Sequence, residues 1–324
     1  MIPVLLTRVK TRDRVLLDGI AVLPRRRSRM ALIWIHGLGS HFSRGQTLIK
    51  ELSEQCATDG IAYFKFNTRG HDLVNRDAPR KKKRRGAAAA PPELFGAGFE
   101  KFEECISDIR AMITEALRLG CKKIILAGHS TGANKTLYYL YRTKDPAVAG
   151  LILLGPVSDI AAGGKKFGAA GMARGIAIAK KLFRKNPESL MPQSYGVFSA
   201  ARFLSMFRPG GAEDVFPYLN PRAQWKELKS IRVPVAVVFG SRDEYLDPIR
   251  SKPRRRVGAA GALARRTSNG VDRPAQKIID IFHANAPLAK SFSGVIIKNA
   301  GHGFKGKEKE LSRAIIRWIK TLLR

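Results

Sequence analysis

Short apolar runs alternate along the chain with stretches whose apolar residues recur at helical spacing, and this alternation predicts strands interleaved with helices. Residues 15–22 (VLLDGIAV) and 31–35 (ALIWI) read as strands, the second as a fully buried one bounded by turn residues. After the HGLGS turn, Leu48, Ile49, Leu52 and Cys56 give a helix over 46–56, followed by the buried-strand pattern IAYFKF at 61–66. Strand, helix, strand implies a parallel pair. A long helix is predicted over 99–119, where Phe102, Cys105, Ile106, Ile109, Ile113, Ala116 and Leu117 fall on one stripe before Gly120. KKIILAG and GLILLG (150–155) read as the next strands, with a helix between them starting after Ser130. VPVAVVFG (233–240) and GVIIKNAG (294–301) restore the pattern later, with a helix near 274–284 between them. The last segment puts Leu311, Ala314, Ile315, Trp318, Ile319 and Leu322 on one helical face. Alternation on this scale predicts a doubly wound α/β sheet.

Two kinds of segment break the rhythm. From 157 to about 228 there is no strand–helix alternation, only short helices such as 171–183 and 199–207 interrupted by Gly and Pro, which predicts an inserted helical cap. Met172, Leu182, Phe183, Met191, Phe198, Phe203 and Phe207 read as the core of that cap. Residues 70–97 and 251–272 are expected to be exposed basic loops, the first carrying a six-residue basic run at 80–85 followed by AAAAPP.

Composition agrees with one such domain: 324 residues, 44% hydrophobic and 26% charged, can bury a large core. The 59 Lys and Arg against 26 Asp and Glu give a net charge of +33, and with it nonspecific attraction to nucleic acid or other anionic surfaces. The clusters at 25–27, 80–85 and 254–256 lack the interleaved aromatics of a single-strand binder and any nucleic-acid motif. The opening MIPVLLTRVKTRDR has too short an apolar stretch for a signal peptide, and no run reaches the ~18 apolar residues of a membrane span. A cytoplasmic location is therefore expected. Cys56, Cys105 and Cys121 are scattered without a CxxC pair, as reduced core thiols are, and the histidines form no HExxH, so no metal is expected.

The chemistry concentrates in Gly128-His129-Ser130-Thr131-Gly132, a GxSxG between an apolar strand and a helix. The glycines permit the sharp turn that projects the serine. A serine hydroxyl needs a neighbouring base, and of six histidines His302, in NAGHGF just past the last strand, stands at the carboxyl edge where open α/β sheets carry their sites. His36 and His129 lie in backbone turns, whereas His41, His71 and His283 read as surface or loop residues. The base needs a carboxylate to hold its tautomer. Asp243, three residues beyond Gly240, is the best candidate, with Glu244 and Asp247 as rivals. The order Ser, Asp, His is that of hydrolases of this type. The backbone amides of Thr131 and of Leu38, in the His36-Gly37-Leu38-Gly39 turn, are candidate oxyanion donors.

Taken together, WIHGLGSHF, FNTRGHD, LAGHSTGANKTLYYL, VFGSRDEYLDP and NAGHGF resemble the alpha/beta-hydrolase superfamily over nearly the whole chain. FNTRGHD and the cap are similar to a group that includes fungal siderophore-ester hydrolases. The resemblance implies a mainly parallel eight-stranded sheet, a triad at Ser130, Asp243 and His302, no cofactor, and a cap that shapes the acyl or alcohol pocket; the expected partner, which does not follow from the resemblance, is a small-molecule acyl ester substrate. The enlarged basic loops depart from it. Hydrolysis of a carboxylic ester or thioester is the expected reaction; an acyltransferase with the same triad, or a non-catalytic scaffold for acidic surfaces, are the alternatives.

Overall fold

The computed structural model describes residues 3–77, 93–218, 220, 222–246 and 273–322. Its first two strands, β1 (Leu5–Lys10) and β2 (Leu16–Val22), pair antiparallel. The sequence pattern predicts β2 but not β1, whose Leu5 and Leu6 are exposed on an edge and give no alternation of buried and polar positions. The other predicted strands follow in place: β3 (Met30–Ile35), β4 (Ile61–Phe66), β7 (Lys123–His129), β8 (Val148–Leu154), β9 (Val235–Gly240) and β10 (Phe292–Ile297). They form one sheet in the order β1-β2-β4-β3-β7-β8-β9-β10, parallel from β4 through β10.

Helices cover both faces because the inner strands are apolar on both. In β3, Ala31, Ile33 and Ile35 join the core under α2 (Cys105–Arg118) and α3 (Thr131–Thr143). Met30, Leu32 and Trp34 alternate into a second core beneath α1 (Gln46–Thr58) and the last helix. The stripe predicted for α2 needs one adjustment: Leu117 is exposed, whereas Met112 and Asp108 are buried. The helix is also preceded by a separate 3-10 turn at Phe102–Glu104.

Between β8 and β9 the chain leaves the sheet. It runs through α4 (Asp159–Lys185), α5 (Ala200–Phe207) and the single turn α6 (Lys226–Lys229). Ser158 caps α4 by accepting from the Ala161 amide, and Gly168, at φ 68°, breaks it into two segments. Met172, Ala179, Met191, Tyr195, Phe203, Met206 and Phe207 make a third apolar cluster of their own here. Leu182 and Phe198 pack against it, but Phe183 is exposed. The chain then adds α7 (Arg273–Ala284) and α8 (Glu308–Thr321); His283, expected at the surface or in a loop, is exposed on α7 and stacked on Phe292.

The two segments read as basic loops are described only in part. Residues 78–92 and 247–272 lie outside the described residues, and with them the basic runs at 80–85 and 254–256. The described ends of 70–97 differ from an exposed loop: β5 (Asn75–Asp77) pairs with β6 (Glu93–Phe95), and Phe95 and Ala97 are buried. Backbone bonds from Gly96 to Arg69, Ala97 to Asp72 and Gly98 to Leu73 tie the segment down. All three cysteines are free and buried. No described helix is long and apolar enough to cross a membrane.

Candidate active site

The loops that follow β3, β7, β8, β9 and β10 meet at the carboxyl edge of the sheet, and each brings one element of the site. Ser130 sits between β7 and α3 at φ 56°, ψ −128°, a conformation that costs an L-residue about 1–3 kcal/mol and is held by the surrounding structure. Its amide donates to Leu154 O of the neighbouring strand at 2.9 Å. The glycines of the motif are steric requirements. A Cβ on Gly128 would collide with Gly132 O, and one on Gly132 with Ile35 O.

His302 follows β10. Its Nδ1 lies 3.0 Å from Oδ2 of Asp243, which is fully buried after β9 and accepts the Tyr245 amide on its other oxygen at 2.9 Å. Glu244, a rival for this place, instead accepts from the His302 backbone amide at 3.0 Å. Asp247 lies outside the described residues. Gly155, just past β8, lets the imidazole approach: a Cβ there would stand 3.0 Å from His302 Nδ1 and 3.3 Å from Asp243 Oδ2. Tyr245 covers the imidazole at 4.4 Å between ring centroids. His302 Nε2 is buried with no hydrogen-bond partner, so its bond to Ser130 is not formed here. Hydrogen bonds of this kind often close only around a substrate.

The turn after β3 lies against the serine, since a Cβ on Gly37 would come within 2.8 Å of Ser130 Cβ. The amides of Leu38 and Thr131 make no backbone hydrogen bond among the described residues. His36 braces this turn: its Nδ1 contacts Gly37 O at 2.8 Å and its Nε2 accepts from the Thr68 amide at 2.9 Å. Burial, and then the Lys135 charge, push its pKa well down, and the neutral tautomer with the proton on Nδ1 satisfies both bonds. His129 is also more than a turn residue. Its Nε2 donates to His302 O at 2.9 Å, holding the loop after β10, and burial followed by the nearby His302 brings its pKa to about 4.

Sequence reasoning missed a buried ionic network behind the site. Lys135 donates to Glu100 at 2.6 Å; Arg202 bonds Glu100 at 3.1 Å and grips both carboxylate oxygens of Glu213. Arg69, almost fully buried, is shared among Asp13, Glu104 and Asp108. The only available signal was the placement of charged residues at otherwise apolar helical positions, as with Lys135 inside TGANKTLYYL. Among the described residues no cluster of three or more metal-binding side chains forms.

Solved structures with the same architecture include Est1E from Butyrivibrio proteoclasticus, at a TM-score of 0.59 and 14% identity over 98% of each chain. The Pyrococcus furiosus esterase Pf2001 superposes at 0.58 and 15% identity over 99% of this chain and 91% of that one. A highly thermostable carboxyl esterase from Bacillus coagulans, in complex with glycerol, does so at 0.58 and 13% over the whole of both. The sheet order, the turn at Ser130 and these likenesses define the alpha/beta-hydrolase fold. Within that fold the chain belongs to the family described as a protein of unknown function, DUF1749, whose pattern matches residues 97–324. No curated protein matches it in sequence. The matched stretch contains Ser130, Thr131, Asp243 and His302, and Leu38 lies before it.

Proposed function

We propose that the protein is a serine hydrolase that cleaves a carboxylic ester or thioester. The observation that carries this reading is the state of His302, with Nδ1 bonded to a buried carboxylate and Nε2 buried and unpartnered at the edge where Ser130 projects. The esterase neighbours support it at the level of the fold.

In this reading Ser130 Oγ attacks the substrate carbonyl while His302 Nε2 takes its proton. Asp243 keeps the proton of the resting imidazole on Nδ1 and stabilises the imidazolium. The carbonyl oxygen becomes an anion between the amides of Thr131 and Leu38, donors of a kind worth about 3–4 kcal/mol each. His302 then protonates the departing alcohol or thiol, leaving an acyl group on Ser130. Water, deprotonated by the same imidazole, releases the acid and restores the serine. Residues 157–228 act as a cap over this edge: α4 and α5 share an apolar cluster of their own, and Val215, Phe216, Trp225 and Leu228 root the segment in the core of the sheet.

The test is a p-nitrophenyl ester series with Ser130→Ala and His302→Ala, beside fluorophosphonate labelling and peptide mapping. Each variant is expected to lose about 10⁴-fold or more in kcat, and the label to map to Ser130. Wild-type turnover in Ser130→Ala would end the proposal.

A further inference from the structure

Buried polar atoms without a partner are rare in folded proteins, and each calls for an explanation, a catalytic role or a bound molecule among them. Among the described residues five side-chain atoms are in this state: Thr131 Oγ1, Asn134 Oδ1, Asp159 Oδ2, His302 Nε2 and Ser312 Oγ. Ser312 lies on α8, on the far side of the sheet. The other four all follow the carboxyl ends of β7, β8 and β10. His302 Nε2 has a role in the hydrolase reading, and the remaining three do not.

Their surroundings join them. Asn134, one helical turn beyond Thr131, donates through Nδ2 to Val157 O at 3.1 Å and Glu213 O at 3.3 Å, which places its amide where the chain leaves β8 for α4. Asp159 opens α4 two residues later, 8% exposed, with Glu213 as its strongest charged neighbour. Tyr218 and Tyr245, the latter with its ring tilted against His302, lie within the fields of both Asp159 and Asp243.

The charges here do not balance. Lys135 and Arg202 are the cations, against the carboxyls of Glu100, Glu213 and Asp159. Arg69 is occupied by Asp13, Glu104 and Asp108, and Lys65, which donates to Arg44 O, acts on His36 and His129, whereas the cation acting on Asp159 is Arg202. Arg202 is committed to Glu213 and Glu100, so the excess acid is Asp159, the one carboxyl of the group that has an unpartnered oxygen. Burial, reinforced by Glu213, accordingly pushes its pKa well above the usual carboxylate range.

We infer that Asp159, with Asn134 Oδ1 and Thr131 Oγ1, forms a subsite for an ammonium group on the substrate, so that the preferred esters are cationic. The site supplies acceptors for the N–H bonds, and the ligand supplies the missing charge. This rests on the hydrolase reading only for its position beside Ser130.

The experiment uses Ser130→Ala, which binds esters without turning them over, and two isosteric pairs. One pair carries the ammonium in the alcohol: 2-(dimethylamino)ethyl butanoate against 3-methylbutyl butanoate. The other carries it in the acyl part: ethyl 4-(dimethylamino)butanoate against ethyl 5-methylhexanoate. Calorimetric titration is expected to show the ammonium ester bound about tenfold or more tightly than its neutral isostere in at least one pair. The preference should collapse toward unity when Asp159→Asn is added. Equal binding within both pairs, or a preference that survives Asp159→Asn, overturns the subsite. The first comparison involves no change at Asp159, so it holds even if the double variant misfolds. Wild-type turnover of the same four esters separates the two proposals: discrimination in binding with no hydrolysis by the wild type sinks the hydrolase reading alone, and hydrolysis without discrimination sinks the subsite alone.

Discussion

At the scale of single residues, the site combines positions that must be glycine with positions that must be charged, and only the first kind is written plainly in the sequence. GxSxG is legible because the backbone approach at Gly128 and Gly132 excludes any side chain, so the motif is a steric signature. Asp243 and His302 are legible by their position after strands. Asp159 is not, since nothing in GPVSDIAAGG tells a helix-opening aspartate from a buried acid. Its raised pKa has a consequence for stability. The free carboxyl titrates near pH 3.9, and the folded one above that, so protonation favours the fold. The destabilisation it causes is absent below the unfolded pKa and grows as pH rises toward the folded one. Asp159→Asn should therefore melt higher than wild type at pH 7, and the gap should close toward pH 4. Thermal melts across that range check this; a constant gap would contradict it.

At the scale of elements, the strands were legible wherever both faces are buried, as in β3, β4, β7, β8 and β9, and illegible in β1, whose residues mostly face water. The helix expected at 171–183 is the second of two segments: Ser158 caps a first one that starts at Asp159, and Gly168, at φ 68° and ψ 169°, separates them. The Gly-rich composition there reads as interruption, and Gly168 supplies one, while Phe167, Met172 and Phe207 pack into one apolar cluster across the two segments. That packing is centred on Phe203, fully buried and 4.7 Å from Phe207 and 5.4 Å from Tyr195. Phe203→Ala should cost about 3–5 kcal/mol. Because its cluster is separate from the two sheet cores, hydrogen exchange should accelerate most in α4 and α5 and least in β7. Uniform acceleration would mean that this region and the sheet unfold as one unit.

At the scale of the whole molecule, the α/β architecture was legible from alternation, whereas the internal charge network was not, because net charge says nothing about which ions are paired. The sequence carries an excess of 33 positive charges. Arg25, Arg26 and Arg27 are exposed, whereas buried Arg69, Lys135 and Arg202 are each matched by carboxylates and buried Lys65 donates to Arg44 O. Attraction to polyanions should then be long-range and screened. Retardation of a DNA fragment at low salt is expected to vanish by about 0.3 M salt, and binding that persists beyond it would point to a specific contact.

The burial of Cys56, Cys105 and Cys121 has a practical corollary, since thiol reagents attack the thiolate and burial pushes all three pKa values up. A maleimide dye should leave the native protein unlabelled. A single cysteine introduced at Leu38, 36% exposed at the rim of the serine's turn, would then be the sole attachment point for a fluorophore reporting the arrival of a ligand.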